Sequence, residues 1–441
     1  MGITRTPYSA DDWAGDSPAA YRARWIFPVA TPPIHDGVIA VQQGLIVAIE
    51  RAAVWSGPTP RDLGDVAILP GLVNAHTHLE FSELTGPIGA PGIAFPEWIR
   101  QVVAHRRARP VDQQRLSAAL GLAESLRGGV TLLGEIATSG WPFELFAAEA
   151  ATQTAAPLET TSPRSVVFQE TIGLAVEDAL EKLAAAAEHL DRFRTPHFLP
   201  GLSPHAPYTV RWDLFESMVR LAARKNAPVA MHLAESPDES VLLGTAGGPL
   251  REMLEAAGVW CDDALGGPRT ILDYLRLLSA SPRALVIHGN YLNAAEIEFL
   301  AANRKHMSVV YCPRTHVFFG HPPHPLPHLL AAGVNVALGT DSRASNPDLS
   351  LWEEARYLVE RGLARPQTAL ELATRGGAAA LGMASHCGTL AHGRSADFCL
   401  VGPIAAEAAD PYDLLFAPPT GVINACLGSK WLAEPSDEGS T

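Results

Sequence analysis

Lysine is nearly missing from this chain of 441 residues: Lys182, Lys225, Lys305 and Lys430 are the only ones. Arginine carries almost all of the positive charge, and the formal net charge is −14. With no basic run to offset it, that balance argues against a nucleic-acid partner and against an anionic membrane surface. Cysteine is scarce too. Cys261, Cys312, Cys387, Cys399 and Cys426 are odd in number and contain no C-x-x-C pair. They read as buried, reduced thiols and not as a disulfide framework. No apolar run reaches the length of a membrane span, and the polar stretch Met1–Asp16 lacks the apolar core of a signal peptide. The expectation is a soluble, cytoplasmic protein.

A hydrophobic content of 47% against 18% charged residues describes an ordinary globular chain with a large core. Its length suffices for a large α/β barrel with a smaller accessory domain. From Ala67 to Leu381, short apolar runs alternate with helical patterns. The predicted strands are Ile68–His76, Val130–Ala137, Ser165–Thr171, Phe198–Ser203, Val229–His232, Leu285–His288, Ser308–Cys312 and Asn335–Gly339. Between them, Asp112–Arg127 shows one apolar helical face closed by Gly128-Gly129, and Asn293 to Glu296 forms a capping box. Strands that are apolar throughout and alternate with helices imply a parallel sheet covered on both sides. Eight such units predict a (β/α)8 barrel, with its active site at the carboxyl ends of the strands.

The flanks differ. Ile34 with Gly37–Val41, Leu45–Ile49, Ala396–Val401 and Val422–Leu427 are short β-like runs, with turn signals at Asp36-Gly37, Gln43-Gly44 and Gly428-Ser429. Neither flank is long enough to bury its own core, so one small β-sandwich built from both ends is expected. The division is residues 1–66 and 385–433 for that domain, 67–384 for the barrel, and a disordered tail over 434–441.

Four apolar runs end in residues that hold or serve a metal: His76-Thr77-His78, His232 with Glu235 three residues on, His288, and Asp341. An imidazole on an apolar strand is costly unless offset, and a divalent cation offsets it at neutral pH. His76 and His78, two apart, share one face of an extended strand end. A cation makes hydroxide available near neutrality, and its attack on a ring carbon needs a proton shuttle. Glu235 is the candidate for that shuttle, Asp341 for a further ligand and base, and His288 for a polar partner of the attacked centre.

Together these motifs resemble the amidohydrolase superfamily, in its aminohydrolase and chlorohydrolase branch. They are Pro70-Gly71-Leu72-Val73-Asn74-Ala75-His76-Thr77-His78, Ser203-Pro204-His205-Ala206-Pro207-Tyr208, Met231-His232-Leu233-Ala234-Glu235, Val286-Ile287-His288-Gly289 and Leu338-Gly339-Thr340-Asp341-Ser342. They run in the family's order across nearly the whole predicted barrel. Branch members of this pattern include S-adenosylhomocysteine/methylthioadenosine deaminases, aminodeoxyfutalosine deaminases, guanine deaminase and triazine hydrolases. The resemblance implies a distorted barrel with a terminal β-sandwich, a small-molecule substrate and a homodimer. It also implies one divalent ion, zinc ahead of iron, on His76, His78, His232 and Asp341, with Glu235 and His288 in catalysis. His205 falls where nucleoside-deaminating relatives contact substrate.

Departures from the pattern mark other candidates. Relatives commonly show Cys-Pro-x-Ser-Asn after the seventh strand; here Cys312-Pro313-Arg314-Thr315-His316 makes Arg314 and His316 candidate substrate contacts. His316, His321, His324 and His328 read as ordinary loop histidines rather than a second metal site. Glu80 and Glu83 follow the His-x-His pair and would recognise a ribose or ring amino group, or lie on a solvated loop.

Rival classes leave different signatures. A cytidine-deaminase-type zinc site needs a Pro-Cys-x-x-Cys partner, which is absent. A dinuclear site bridged by a carboxylated lysine needs a lysine at a strand end, and none of the four is there. A deacetylase-like site with a glutamate ligand stays open through Glu170, and less so through Glu135, although both suit a role in orienting ligands. A non-catalytic barrel would be expected to lose ligands, and none is lost.

Overall fold

The computed structural model describes residues 18–110, 113–146, 163–192, 198–404 and 407–433. The expectations for Met1–Asp16, for Asp112 and for the tail at 434–441 lie outside the described residues.

Among the described residues, sixteen strands form two sheets. The barrel holds β6 (Leu72–Thr77), β7 (Val130–Ala137), β8 (Arg164–Thr171), β9 (Phe198–Pro204), β10 (Val229–Leu233), β11 (Ala284–His288), β12 (Met307–Tyr311) and β13 (Asn335–Leu338), all parallel and in sequence order. Strands β6, β7, β10, β11 and β12 are buried along their whole length, as strands covered on both faces must be. Val73, Ala75, Leu132, Val166, Phe168, Leu285 and Ile287 fill the interior, and helices pack outside. The predicted capping box is formed: Asn293 and Glu296 satisfy each other's backbone N–H at the start of Ala294–Ala302.

The second sheet unites both ends of the chain. It contains β1 (Ala19–Ile26), β2 (Ile34–Gln42), β3 (Leu45–Arg51), β4 (Arg61–Asp62), β5 (Ala67–Pro70), β14 (Phe398–Gly402), β15 (Gly421–Leu427) and β16 (Lys430–Trp431). The order is β16-β15-β14-β5-β1-β2-β3, with β4 beside β1. Gln43-Gly44 turns β2 into β3 as expected, but Asp36-Gly37 is no turn and lies inside β2.

One predicted strand is in fact two. Ile68–His76 divides at Gly71, so that Ala67–Pro70 pairs with β1 and β14 while Leu72–Thr77 enters the barrel. The Gly71 N–H donates to Asp397 and the Leu72 N–H to Gly129, so the chain changes sheets within two residues. A Cβ on Gly71 would collide with the Thr131 side chain. Gly71→Ala should therefore lower stability by about 1–3 kcal/mol through overpacking, read as a lower urea midpoint; an unchanged midpoint would contradict this account of the crossing.

The barrel closes where the site lies. The N–H groups of Thr340 and Asp341 both donate to the His76 carbonyl at 3.1 Å, and Thr77 bridges to Asp341. Asn74 holds Thr340 from the other strand, its Nδ2 2.8 Å from Thr340 Oγ1. Only glycine fits at Gly339, because a Cβ there would lie 2.9 Å from the His76 backbone oxygen.

Candidate active site

Every residue of the expected metal set converges on the rim formed by the strand ends. His76 lies near the end of β6, His78 follows it, His232 lies near the end of β10, His288 ends β11, and Asp341 follows β13. His78 Nε2 and His232 Nε2 are 3.2 Å apart, and Asp341 Oδ1 is 3.6 Å from His76 Nε2 and 3.8 Å from His78 Nε2. Ligand atoms around a tetrahedral ion with bonds of about 2.0–2.1 Å stand about 3.3 Å from one another. Both nitrogens of His76 are buried with no hydrogen-bond partner, an expensive arrangement unless a cation takes the lone pair.

The protonation states suit the same use. Burial, then neighbouring His76, drives the His78 imidazole well below its usual range; burial, then His205, does the same for His232. Neutral rings keep their lone pairs. His232 Nδ1 donates to the His205 carbonyl at 3.0 Å, which leaves Nε2 free to ligate. Burial alone would raise the Asp341 carboxyl, but His76, His288 and His78 overcome it and keep the group ionised. The residues present fit one divalent cation.

Glu235 and His288 lie beside this cluster, with Glu235 Oε1 3.3 Å from His288 Nε2. Burial, together with the charges of Asp341 and Glu239, raises the Glu235 carboxyl well above the ordinary range. His288 is held neutral, its value lowered to about 3 chiefly by burial. Such a pair can carry and pass a proton near neutral pH. Backbone strain is concentrated here as well: Ala234, His288 and Asp341 have φ of 55°, 70° and 57°, costly for residues with a Cβ.

Supports hold these groups, and of them the sequence marks only Glu135, as a residue suited to orienting ligands. Glu239 accepts the backbone N–H groups of Ala234 and Glu235, and Asn290 donates to the Glu235 carbonyl at 3.0 Å. Glu135 accepts the Leu79 N–H and the Trp141 indole, which fixes the chain just after His78. No motif marks Glu239 or Asn290: Glu239 reaches back to Ala234 and Glu235 from the helix Pro237–Thr245, and Asn290 comes from the segment after β11.

A cleft opens beside the cluster. Trp98, Ile99 and Val102 give it an apolar wall, and Arg106, Glu170 and His205 a polar one. Of the candidate substrate contacts, only His205 lines it.

Arg314 is turned away from the cleft. Its guanidinium binds Asp348 at 2.6 Å and fully buried Glu354 at 2.6 Å, clamping the helix Pro313–Phe318 to Leu351–Glu360. Removing it would take away the only ion-pair partner of buried Glu354 among the described residues, leaving Asn346 and the backbone N–H of residue 314 as its donors, at a cost of about 3–5 kcal/mol. Arg314→Met should thus lower the melting temperature and leave KM of the folded enzyme unchanged; a raised KM at unchanged stability would restore Arg314 to the substrate.

His316 spends both ring nitrogens, on Asn290 Oδ1 at 3.0 Å and the Pro322 carbonyl at 2.9 Å. It therefore supports Asn290, which in turn holds Glu235. His321 bonds Tyr291, and His324 bonds the His288 carbonyl. Among the described residues these loop histidines belong to no metal-holding group. Glu80 is buried under two arginines, with Arg106 at 2.5 Å and Arg109 at 2.8 Å. It acts on the cleft only by holding Arg106 against its wall.

Fold and site together define a barrel hydrolase organised around a divalent cation. The chain belongs to the amidohydrolase family, whose profile matches residues 67–423. As a member it is a hydrolase acting on carbon–nitrogen bonds. A 5-methylthioadenosine/S-adenosylhomocysteine deaminase of Syntrophobacter fumaroxidans is 30% identical over 387 residues, 83% of this chain and 80% of that protein. Among solved structures, a zinc-bound adenosine deaminase from Xanthomonas campestris is 26% identical. Its TM-score is 0.73, with 94% of this chain and 92% of that one covered. The Helicobacter pylori aminofutalosine deaminase in complex with methylthio-coformycin has a TM-score of 0.78 at 21% identity. It covers 94% of this chain and 100% of its own and speaks to the fold alone.

Proposed function

We propose that the protein hydrolytically deaminates an adenosine-type nucleoside, of the kind represented by methylthioadenosine, S-adenosylhomocysteine or aminodeoxyfutalosine. His76, His78, His232 and Asp341 would hold one ion, zinc ahead of iron, because three imidazoles and a carboxylate suit both and the adenosine deaminase relative carries zinc. Bound there, the ion would make a hydroxide nucleophile available near neutral pH.

The remaining work falls to side chains. Asp341, ionised, takes the proton of the attacking water as it adds to the amine-bearing ring carbon. Glu235, whose raised carboxyl carries a proton, delivers it to the adjacent ring nitrogen; then, ionised, it takes the proton of the added hydroxyl and passes it to the leaving amine, which departs as ammonia as the ring carbonyl forms, and the proton held by Asp341 returns to Glu235. Neutral His288 faces the attacked centre as a hydrogen-bond partner. The observation that carries this reading is the Glu235–His288 pair, 3.3 Å apart and beside the metal set. The names of the relatives support the adenosine class.

The test is ammonia release from adenosine, methylthioadenosine, S-adenosylhomocysteine, aminodeoxyfutalosine, guanine and cytosine, with metal analysis of the same sample. Turnover of at least one adenosine compound at one metal per chain is expected. Ammonia from none of them, with two metals per chain, would favour cleavage of a cyclic or acyl C–N bond instead.

A further inference from the structure

Glu170, one residue from the end of β8, presents a buried carboxylate to the cleft, and only 4% of its side chain is exposed. Among the described residues it has no direct hydrogen-bond partner, and Oε1 is buried. Its nearest cationic neighbour, Arg106 Nη1, is 3.7 Å from Oε2, and His205 Nε2 is 3.8 Å from Oε1. Arg106 comes no closer because its other nitrogen is bonded to Glu80 at 2.5 Å. A buried carboxylate with no hydrogen bond is costly, and a ligand donor is what removes that cost.

His205 borders Glu170 on the cleft wall. Its Nδ1 is 2.7 Å from Thr209 Oγ1, and the Thr209 hydroxyl gives its proton to the Ala206 carbonyl at 3.2 Å. His205 Nε2 faces Glu170 on the same wall. The two oxygens of the Glu170 carboxylate, Oε1 unpartnered, call for two donors on adjacent atoms. A vicinal diol supplies them at ordinary hydrogen-bond lengths. An anionic substituent supplies none and meets the Glu170 charge. Nor does Glu170 belong to the donor atoms gathered within 4.8 Å around His76, among the described residues.

We propose that Glu170 is a specificity-determining residue that accepts hydrogen bonds from the sugar diol of the substrate, selecting ribonucleosides over dideoxynucleosides. The inference rests on the deaminase reading of the same site.

It is tested with the panel nucleoside of highest kcat/KM and its 2′,3′-dideoxy analogue, on the metal-replete wild type, Glu170→Leu and Glu170→Gln. Metal content and melting temperature are followed in parallel. The wild type should prefer the ribonucleoside by about 10–100-fold in kcat/KM, the worth of hydrogen bonds to a charged group. Glu170→Leu should lose that preference, mainly through KM, with the dideoxy analogue changed less than about twofold. Glu170→Gln, which keeps one acceptor oxygen, should fall between. Equal losses on both substrates, or none, would overturn the proposal. So would a drop in bound metal in either variant, which would make Glu170 a ligand. If the wild type released ammonia from no nucleoside, the deaminase reading itself would fall; the outcomes above with an active wild type remove the Glu170 assignment alone.

Discussion

Glu235→Gln should bind its metal as the wild type does and turn over about 10²- to 10⁴-fold more slowly, the range that a positioned proton shuttle supplies. The amide matches the carboxylate in shape and keeps a hydrogen-bond acceptor toward His288, but it cannot pick up and release a proton. The loss should fall in kcat and in kcat/KM alike, because the missing interaction belongs to the transition state. Glu239 and Asn290 hold the backbone of residue 235 independently of its side chain, so the fold around it should persist. Activity within a few-fold of wild type, at full metal occupancy, would remove Glu235 from the chemistry.

His232→Ala should abolish activity by a different route. One of four ligands disappears, and metal affinity should fall beyond the about 10–100-fold that loss of an outer-shell partner costs. The effect is visible without any substrate. A metal that binds the folded state at 100 times its Kd stabilises it by about 2.7 kcal/mol. Adding zinc to chelator-treated wild type should therefore raise the melting temperature, and the same addition to His232→Ala should not. An equal rise in both proteins would mean that the ion binds elsewhere.

Much of this molecule is legible in its sequence, for identifiable reasons. Val130–Ala137 is observed with its expected bounds, and β8 to β13 lie within one residue of expectation at each end. Their signal is a run of buried apolar residues, which a strand covered on both faces requires. The convergence of His76, His78, His232 and Asp341 is legible because an imidazole that ends such a run is costly to bury unless a cation takes its lone pair. Ile68–His76 misled because both halves are apolar: the sheet change is written only in Gly71, whose need to clear Thr131 depends on a strand 60 residues away. Arg314 misled in the opposite way. Its place after the seventh strand suggests a wall of the cleft, yet Glu354 on the helix Leu351–Glu360 and Asp348 just before that helix draw the guanidinium aside. Glu80 fell in the same manner to Arg106 and Arg109. Charged side chains choose partners by tertiary proximity, and nothing local records that choice.

The central claim is that one ion sits among His76, His78, His232 and Asp341. Anomalous diffraction from metal-loaded crystals, together with metal content per chain, tests it most directly. The account predicts a single peak with those four side chains at about 2.0–2.2 Å, and Glu235 and Glu170 outside the bonding shell. A peak that excludes Asp341 or His232, or a second ion bridged by Glu170, would contradict it.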